Sequence, residues 1–298
     1  MIVVCIIFGA FVLLLLAGAW FLAGFTMSGS RQTLDEAKKW QSDHYDISFF
    51  QNLEKQDYTV EGSNGYILHA QLLKNPENSS KYMIISHGYT DNRIGSLKYA
   101  KMYLDMGFHC IVYDLRGHGE NETTFTTYGI LEARDLDLLV KDARERYPDM
   151  EILGLHGESL GAATTITVLK YHPEIDFAIA DCGFSAIENV LRVGYESANM
   201  PSAIFDLADF GARIRYHYSL KDMRPIDSLE GNRIPVLFIH GEKDGLIPPN
   251  NSKMMYEKTE GIRKIYIMEN AGHAESILED PVTYQKVVEE FLDELSFF

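Results

Sequence analysis

The chain has 298 residues, of which 46% are hydrophobic, and a formal net charge of −16. This length allows one large α/β domain or two small ones, with enough apolar residues for a sizeable core. The negative charge argues against binding to nucleic acid, which requires a basic face. The cysteines Cys5, Cys110 and Cys182 form no ligand cluster with histidine, so we expect no structural zinc.

The first segment of the chain is apolar and uncharged. Residues 2–25 contain no charged side chain and are long enough to span a bilayer as one helix. A cleaved signal peptide is the alternative, because Ala17-Gly18-Ala19 resembles a cleavage site, although no basic residue precedes the apolar run. We predict a transmembrane anchor or signal segment over residues 1–26 and favour the anchor. Basic residues after the span indicate a cytoplasmic catalytic part, but acidic residues lie among them, so the side stays open.

A linker and helix are expected over residues 27–55, with Thr33 as N-cap and Glu36 at the capping-box position. A hairpin follows over residues 57–73. Short apolar runs then alternate with helical patterns, which is typical of βαβ units in a mostly parallel sheet. The apolar runs lie at residues 82–86, 108–113, 152–155, 177–180, 236–239 and 265–268. The helical patterns lie at residues 96–106, 130–147, 160–171, 251–259 and 282–295.

One long segment interrupts this alternation. Residues 184–231 separate two predicted strands and carry apolar residues at roughly helical spacing. We interpret the segment as a small helical cap inserted after the sixth strand, over the carboxyl edge of the sheet. The alternative is a surface excursion of ordinary amphipathic helices.

The motif Gly157-Glu-Ser-Leu-Gly161 lies between an apolar run and a helical pattern. A strand that turns sharply into a helix, with serine at the apex, is typical of the nucleophile elbow of serine hydrolases. Gly157 and Gly161 remove the Cβ atoms that would collide where strand and helix cross. The motif alone is weak, because glycine and serine are common residues and a glycine-rich turn would look the same.

Other reactive side chains follow the predicted strands, and in a parallel sheet such groups collect at the carboxyl ends. Ser159, Asp244 and His273 occur in the order serine, acid, histidine, each in a loop after a strand. A serine hydroxyl needs an imidazole to accept its proton, and the imidazole needs a carboxylate to orient it. Glu242 and Asp181 are alternative acids, although we interpret Asp181 as closing a strand through hydrogen bonds to backbone.

Five motifs in this order resemble the α/β-hydrolase superfamily, most of all the bacterial serine esterases and acylaminoacyl-peptidase-like members with an N-terminal hydrophobic segment. The resemblance covers residues 56–298. It rests on His87-Gly88, Asp114-Leu-Arg-Gly-His-Gly119, Gly157-Glu-Ser-Leu-Gly161, His240-Gly-Glu-Lys-Asp244 and Gly272-His273. It implies an α/β-hydrolase fold, with a mostly parallel eight-stranded sheet flanked by helices. The other histidines would be structural, with His156 a satisfied core residue.

By this resemblance Ser159 is the nucleophile, His273 the general base and then acid, and Asp244 the orienting carboxylate. The backbone N–H groups of Tyr89 and Leu160 would hold the oxyanion. The implied enzyme is a carboxylesterase-like serine hydrolase that needs neither metal nor cofactor. Its expected partners are a small-molecule or lipid-like ester and, through residues 1–26, a bacterial cell membrane.

Several alternatives to this function stay open. The same triad would serve a peptidase, a thioesterase, a lipid or protein deacylase, or an acyltransferase with an acceptor other than water. A non-catalytic binding protein on the same fold belongs to a different class, since a fold does not determine function. Chain-length preference and oligomeric state also stay open.

Overall fold

A computed structural model of the chain describes residues 1–297. Its centre is one sheet with the strand order β1-β2-β4-β3-β5-β6-β7-β8. The strands are β1 (Lys55–Glu61), β2 (Ile67–Leu73), β3 (Lys81–Ser86), β4 (His109–Tyr113), β5 (Ile152–Glu158), β6 (Phe177–Asp181), β7 (Val236–Gly241) and β8 (Arg263–Met268). The hairpin strands β1 and β2 are antiparallel, β2 is antiparallel to β4, and the remaining neighbours are parallel. The predicted eight-stranded, mostly parallel sheet is confirmed.

Helices cover both faces of this sheet. They are α1 (Ile2–Met27), α2 (Leu34–His44), α3 (Ser48–Asn52), α4 (Leu97–Asp105), α5 (Ile130–Arg146), α6 (Leu160–Val168), α7 (Ile187–Ser197), α8 (Ile204–Arg215), α9 (Asn250–Lys258), α10 (Ser276–Glu279) and α11 (Pro281–Glu294). Successive side chains of a strand point to opposite faces. On β3, Ile84 therefore joins the hydrophobic cluster that includes α5 and α6, whereas Met83 and Ile85 join the cluster that includes α4 and α11.

The segment between β6 and β7 is helical, as its apolar spacing predicts. It contains α7 and α8, followed by two short 3₁₀ turns. On α8, Phe205, Ala208 and Ala212 are fully buried, whereas Phe210 and Ile214 are 48% and 45% exposed. The helix is therefore amphipathic, but its outer face still carries large apolar side chains.

Among residues 1–297, α1 is the one helix long and apolar enough to cross a membrane, with a mean hydropathy of 3.0 over its most apolar window. Most side chains in its N-terminal part are exposed, whereas Ala19, Ala23 and Met27 near its C-terminus are fully buried. Ala19 and Ala23 lie against Gly211 in the contact that α1 makes along α8. The C-terminal third of the apolar helix is thus part of the folded domain.

The chain after α1 also lies against the domain. The Gln32 N–H donates to the carbonyl oxygen of Thr90 at 2.7 Å. The capping box predicted for α2 is confirmed, because Glu36 N–H donates to Thr33 Oγ1 and Thr33 N–H donates to Glu36 Oε2. The residues expected to form a linker between α1 and α2 are therefore held by hydrogen bonds to the loop after β3 and by the cap of α2.

Gly211 on α8 tests how closely α1 must pack. A Cβ atom at Gly211 would overlap the carbonyl oxygen of Ala19 on α1. We predict that Gly211→Ala forces the two helices apart and lowers the free energy of unfolding by about 1–3 kcal/mol. Thermal unfolding of the full chain in detergent micelles measures the change. The matched control is Gly194→Ala on α7, where the added methyl group meets open space and helix propensity should raise stability by up to about 1 kcal/mol. Equal stability of the two variants would contradict the tight contact.

Candidate active site

The predicted elbow is a close crossing of three backbone segments. Ser159 joins the end of β5 to the start of α6, with φ 54° and ψ −110°. A Cβ atom on Gly157 would overlap the carbonyl group of Gly161, and one on Gly161 would overlap the carbonyl group of Ser86 at the end of β3. The steric role predicted for both glycines is confirmed. The strained backbone of Ser159, typical of functional sites, is the conformation that this crossing imposes.

The structure brings the three residues of the predicted triad together. His273 lies in the loop after β8, and its Nε2 is 3.0 Å from Ser159 Oγ. Its Nδ1 is 2.7 Å from Oδ2 of Asp244, in the loop after β7. The imidazole therefore has a hydroxyl on one side and a buried carboxylate on the other, although the three residues are far apart in sequence.

Asp244 is held by several donors. Its Oδ1 accepts the N–H groups of Leu246 and Ile247 at 2.9 and 2.8 Å, and His240 Nε2 lies 3.2 Å from its Oδ2. Burial by itself would raise the pKa of Asp244, but the hydrogen bonds from His240 and His273 outweigh it and lower that pKa. Asp244 therefore stays ionised beside the imidazole.

The pKa of His273 is shifted in the opposite sense. Burial by itself would lower this pKa, but the hydrogen bond to Asp244 and the negative charge of that carboxylate raise it above its ordinary value. The imidazolium form is thus stabilised. This is the form that a histidine adopts after accepting a proton from serine.

The residues expected to supply oxyanion donors both lie near Ser159. Leu160 is the first residue of α6, where backbone N–H groups lack intrahelical acceptors. Tyr89 lies in the loop after β3 and lines a cavity of about 300 Å³ together with Ser159 and His273. His87, in the same loop, ties it to the chain after β4, because the Nε2 atom of His87 accepts the N–H of Leu115 at 2.9 Å.

Within residues 1–297, the side chains of the alternative candidates for the acid and the base of the triad form no hydrogen bond with Ser159 or His273. The side chain of Asp181 accepts the hydroxyls of Tyr99 and Tyr284, each at 3.0 Å, rather than bonding to backbone as its interpretation required. Glu242 is exposed and lies outside the site. His156 is a core residue whose Nδ1 is 2.8 Å from the Tyr103 hydroxyl, but within residues 1–297 its Nε2 has no partner, so it is only half satisfied.

Two triad residues also belong to a group of side chains close enough together to hold a metal ion. Ligand atoms of Cys182, Asp244 and His273 lie within 4.8 Å of one another. Burial raises the pKa of the Cys182 thiol well above its ordinary value, and a protonated thiol is a poor ligand. Nδ1 of His273 is already occupied by its hydrogen bond to Asp244. The donor set therefore fits a triad better than a metal site.

Sequence reasoning missed a buried ion pair directly beneath the serine. Lys98 on α4 contacts Glu158 Oε2 at 2.5 Å and donates to the carbonyl oxygen of Ala274 at 3.0 Å. The Tyr99 hydroxyl also donates to Glu158, at 2.6 Å. Lys98 thereby links the residue before Ser159 to the residue after His273. The one sequence signal was Glu158 itself, a charge inside a motif of small and apolar residues that needs a buried partner.

Comparison with known proteins shows which family has this architecture. The family model described as serine aminopeptidase, S33, matches residues 77–229. The uncharacterized protein YqkD of Bacillus subtilis is 32% identical over 274 residues, which cover 89% of each chain. The uncharacterized membrane protein YNL320W of Saccharomyces cerevisiae is 23% identical over 265 residues, or 85% of each chain.

Solved structures extend the comparison to the fold. The esterase Pf2001 of Pyrococcus furiosus superimposes with a TM-score of 0.68 at 22% identity, over 84% of this chain and 96% of that chain. The arrangement is the α/β-hydrolase fold. With the match to the family model over half of its length, the chain belongs to the serine aminopeptidase, S33 family of the α/β-hydrolase superfamily.

Proposed function

We propose that this protein is a membrane-anchored serine hydrolase that cleaves carboxylic esters through an acyl-enzyme intermediate. The observation that carries the proposal is the continuous hydrogen-bonded chain from Asp244 through His273 to Ser159. This chain supplies a nucleophile, a base within reach of its proton, and a carboxylate that holds the base in one tautomer. The family assignment and the esterase fold relative support the same reaction class.

The acylation step follows from these positions. Ser159 Oγ attacks the ester carbonyl carbon while its proton passes to His273 Nε2. The carbonyl oxygen becomes an oxyanion, which the N–H groups of Tyr89 and Leu160 would stabilise by donating hydrogen bonds. The bond to the alcohol oxygen then breaks, and the alcohol leaves with the proton from His273. The acyl group remains bonded to Ser159.

Deacylation repeats the sequence with water. His273 accepts a proton from water, whose oxygen attacks the acyl carbon. Collapse of the second tetrahedral intermediate releases the carboxylic acid and returns the proton to Ser159. Asp244 remains ionised throughout, since its lowered pKa keeps the proton on the imidazole.

Anchoring in a membrane is proposed for α1. The helix has 26 residues, and only 6% of its most apolar window is buried within the protein. A core helix of a soluble protein would be mostly buried, so this exposed apolar surface favours a bilayer as its surroundings. The name of the yeast relative agrees with this interpretation.

Aminopeptidase activity is a second candidate, favoured by two carboxylates at the site. Asp91 and Glu275 line the same cavity as Ser159, where they would attract the ammonium group of an aminoacyl substrate. Burial raises the pKa of Asp91 to about 6, so part of this attraction would be lost in mild acid. Hydrolysis of aminoacyl p-nitroanilides, compared with p-nitrophenyl esters, distinguishes the two activities.

The first test is ester hydrolysis by the full chain in detergent micelles. We expect turnover of p-nitrophenyl esters and covalent labelling of Ser159 by a fluorophosphonate. Ser159→Ala should abolish labelling and lower kcat by a factor on the order of 10⁶. Absence of both turnover and labelling in the wild-type chain would overturn the proposal and favour a binding protein.

The second test is the pH dependence of kcat/KM. His273 must be neutral to accept the serine proton, so activity should fall as pH drops below its raised pKa and reach a plateau above it. Asp244→Asn removes the charge that raises this pKa. The acidic limb should then move to lower pH, and kcat should fall by a factor on the order of 10⁴. Glu242→Gln, two residues away and exposed, is the control. A limb that moves equally in both variants would contradict the role of Asp244.

The third test concerns the buried ion pair that Lys98 forms with Glu158 beneath the elbow. Lys98→Met leaves the Glu158 carboxylate buried without its counter-charge, so the free energy of unfolding should fall by about 3–5 kcal/mol. Adding Glu158→Gln removes the unpaired charge and should restore part of the loss, as measured by urea unfolding. Lys101→Met, whose partner Asp105 is exposed, should change stability by less than about 1 kcal/mol. Equal losses in the free energy of unfolding for Lys98→Met and Lys101→Met would contradict a larger contribution of the buried pair to stability.

A further inference from the structure

In a bilayer that α1 spans from Ile2, the C-terminal end of the helix would project beyond the hydrocarbon region. The helix from Ile2 to Trp20 is about 28 Å long at the usual rise of ~1.5 Å per residue, which matches a hydrocarbon core of about 30 Å. The remaining turns, which end at Met27, therefore lie at the level of the lipid head groups. These are the turns that α8 covers.

The side chains near Trp20 suit a membrane interface. The Trp20 ring is 50% exposed, and the Arg215 guanidinium lies 5.1 Å from its centre. Arg215 also donates to the Trp20 carbonyl oxygen at 3.1 Å. Tryptophan is enriched at membrane interfaces, and arginine near a helix end extends its charge toward the head groups. The exposed Phe210 and Ile214 on α8 lie on the helix that packs along this part of α1.

A cavity opens beside this end of α1. It has a volume of about 420 Å³ and lies between the last turn of α1, helix α7 and the loop after β3. Its lining includes Phe25, Thr26, Tyr89, Tyr128, Leu191 and Tyr195. Its volume is within the range of about 300–1,000 Å³ typical of small-molecule sites. Phe25, which is 66% exposed, forms the outer part of the lining on the side of α1 that the domain leaves uncovered.

Hydrogen bonds fix the walls of this cavity to the end of α1. Thr26 Oγ1 is 2.7 Å from the Tyr195 hydroxyl, and the Tyr128 hydroxyl donates to the Thr26 carbonyl oxygen. The polar ends of both tyrosines are thus occupied, which leaves their rings and Leu191 as the apolar lining. The cavity is preformed, so a ligand would not need to order it.

Tyr89 connects this cavity to the catalytic one. Its side chain lines both the 420 Å³ cavity and the 300 Å³ cavity that contains Ser159 and His273. The Tyr89 hydroxyl accepts the N–H of Gly29, just after α1, at 2.9 Å. A chain that extends from an acyl group on Ser159 would therefore pass one side chain, Tyr89, to reach the apolar cavity.

We propose that the cavity beside the end of α1 binds the acyl chain of a membrane-lipid ester, which enters it directly from the bilayer. This inference rests on the proposed ester hydrolysis at Ser159 and specifies its substrate class. The chain would leave the hydrocarbon region near Trp20, pass Phe25 and lie between Leu191 and Tyr195, with its carbonyl group at Ser159. Because Phe25, Leu191 and the tyrosine rings line the cavity at the level of the head groups, the chain would cross only the membrane interface to reach it.

A binding measurement tests the cavity independently of hydrolysis. The full chain in phosphatidylcholine liposomes is irradiated with palmitic acid that carries a diazirine near its methyl end, and adducts are mapped by mass spectrometry. We expect adducts on α7 at Leu191 and Tyr195, in the wild type and in Ser159→Ala alike, that excess unlabelled palmitate suppresses. Tyr195 is only 5% exposed, so ordinary lipid contact would not label it. Adducts confined to the first turns of α1, or no adducts at all, would overturn the proposal.

Substitutions on α7 provide the kinetic test. Leu191→Trp fills the cavity and should lower kcat/KM for p-nitrophenyl palmitate by about tenfold or more, while kcat/KM for the acetate stays within about twofold. Val193→Trp adds the same side chain at a position that is 42% exposed and should change neither value. An unchanged ratio of palmitate to acetate hydrolysis in Leu191→Trp would overturn the proposal.

The two measurements separate this inference from the proposed function. Adducts on α7 without turnover of any ester would retain the acyl cavity and reject the esterase. Ester turnover without adducts on α7 would retain the esterase and reject the cavity. If Leu191→Trp fails to fold, the wild-type adducts still decide the question.

Discussion

The close crossing of β5, α6 and β3 is the constraint on which the site depends. The backbones approach so nearly that only glycine fits at positions 157 and 161. The crossing holds Ser159 at a positive φ and places Leu160 at the N-terminus of α6, where its N–H has no intrahelical acceptor. Because β3, β5, β7 and β8 are parallel, their following loops bring Tyr89 and His273 to the same edge of the sheet as the serine.

Buried charge beneath the crossing sets a second requirement. Glu158 and Asp181 end neighbouring strands, and the Tyr99 hydroxyl lies within hydrogen-bond distance of both carboxylates. Burial, together with the negative charge of Glu158, raises the pKa of Asp181 to about 6. Lys98 supplies the compensating positive charge and also donates to the Ala274 carbonyl oxygen. One side chain therefore both neutralises the buried acids and holds the loop that carries His273. This is a costly arrangement, since a buried charge is tolerated only while its partners remain.

Local signals in the sequence were sufficient to predict the sheet, the elbow and the candidate triad. Short apolar runs indicate the strands, and the candidate residues lie in the loops directly after those strands. The same signals were insufficient for the Lys98–Glu158 pair, whose members lie 60 residues apart on elements that meet only in the folded chain. The buried side of α1 was equally hidden, since the helix is apolar all round and shows no amphipathic face. The small residues Ala19 and Ala23, four apart, were the available signal, because such spacing favours close helix packing.

The docking of α1 on the domain bears on how the proposed membrane attachment would act. A flexible tether would only raise the local concentration of substrate. Here α8 packs along the helix that we propose enters the bilayer, and the N–H of Gly29, just after that helix, donates to the Tyr89 hydroxyl. In a membrane, the height of the cavity would thus be set by backbone packing at Gly211 and Ala19 rather than by linker length. A substrate held in the bilayer would meet the site at a fixed depth, so its ester group need not be extracted far into water.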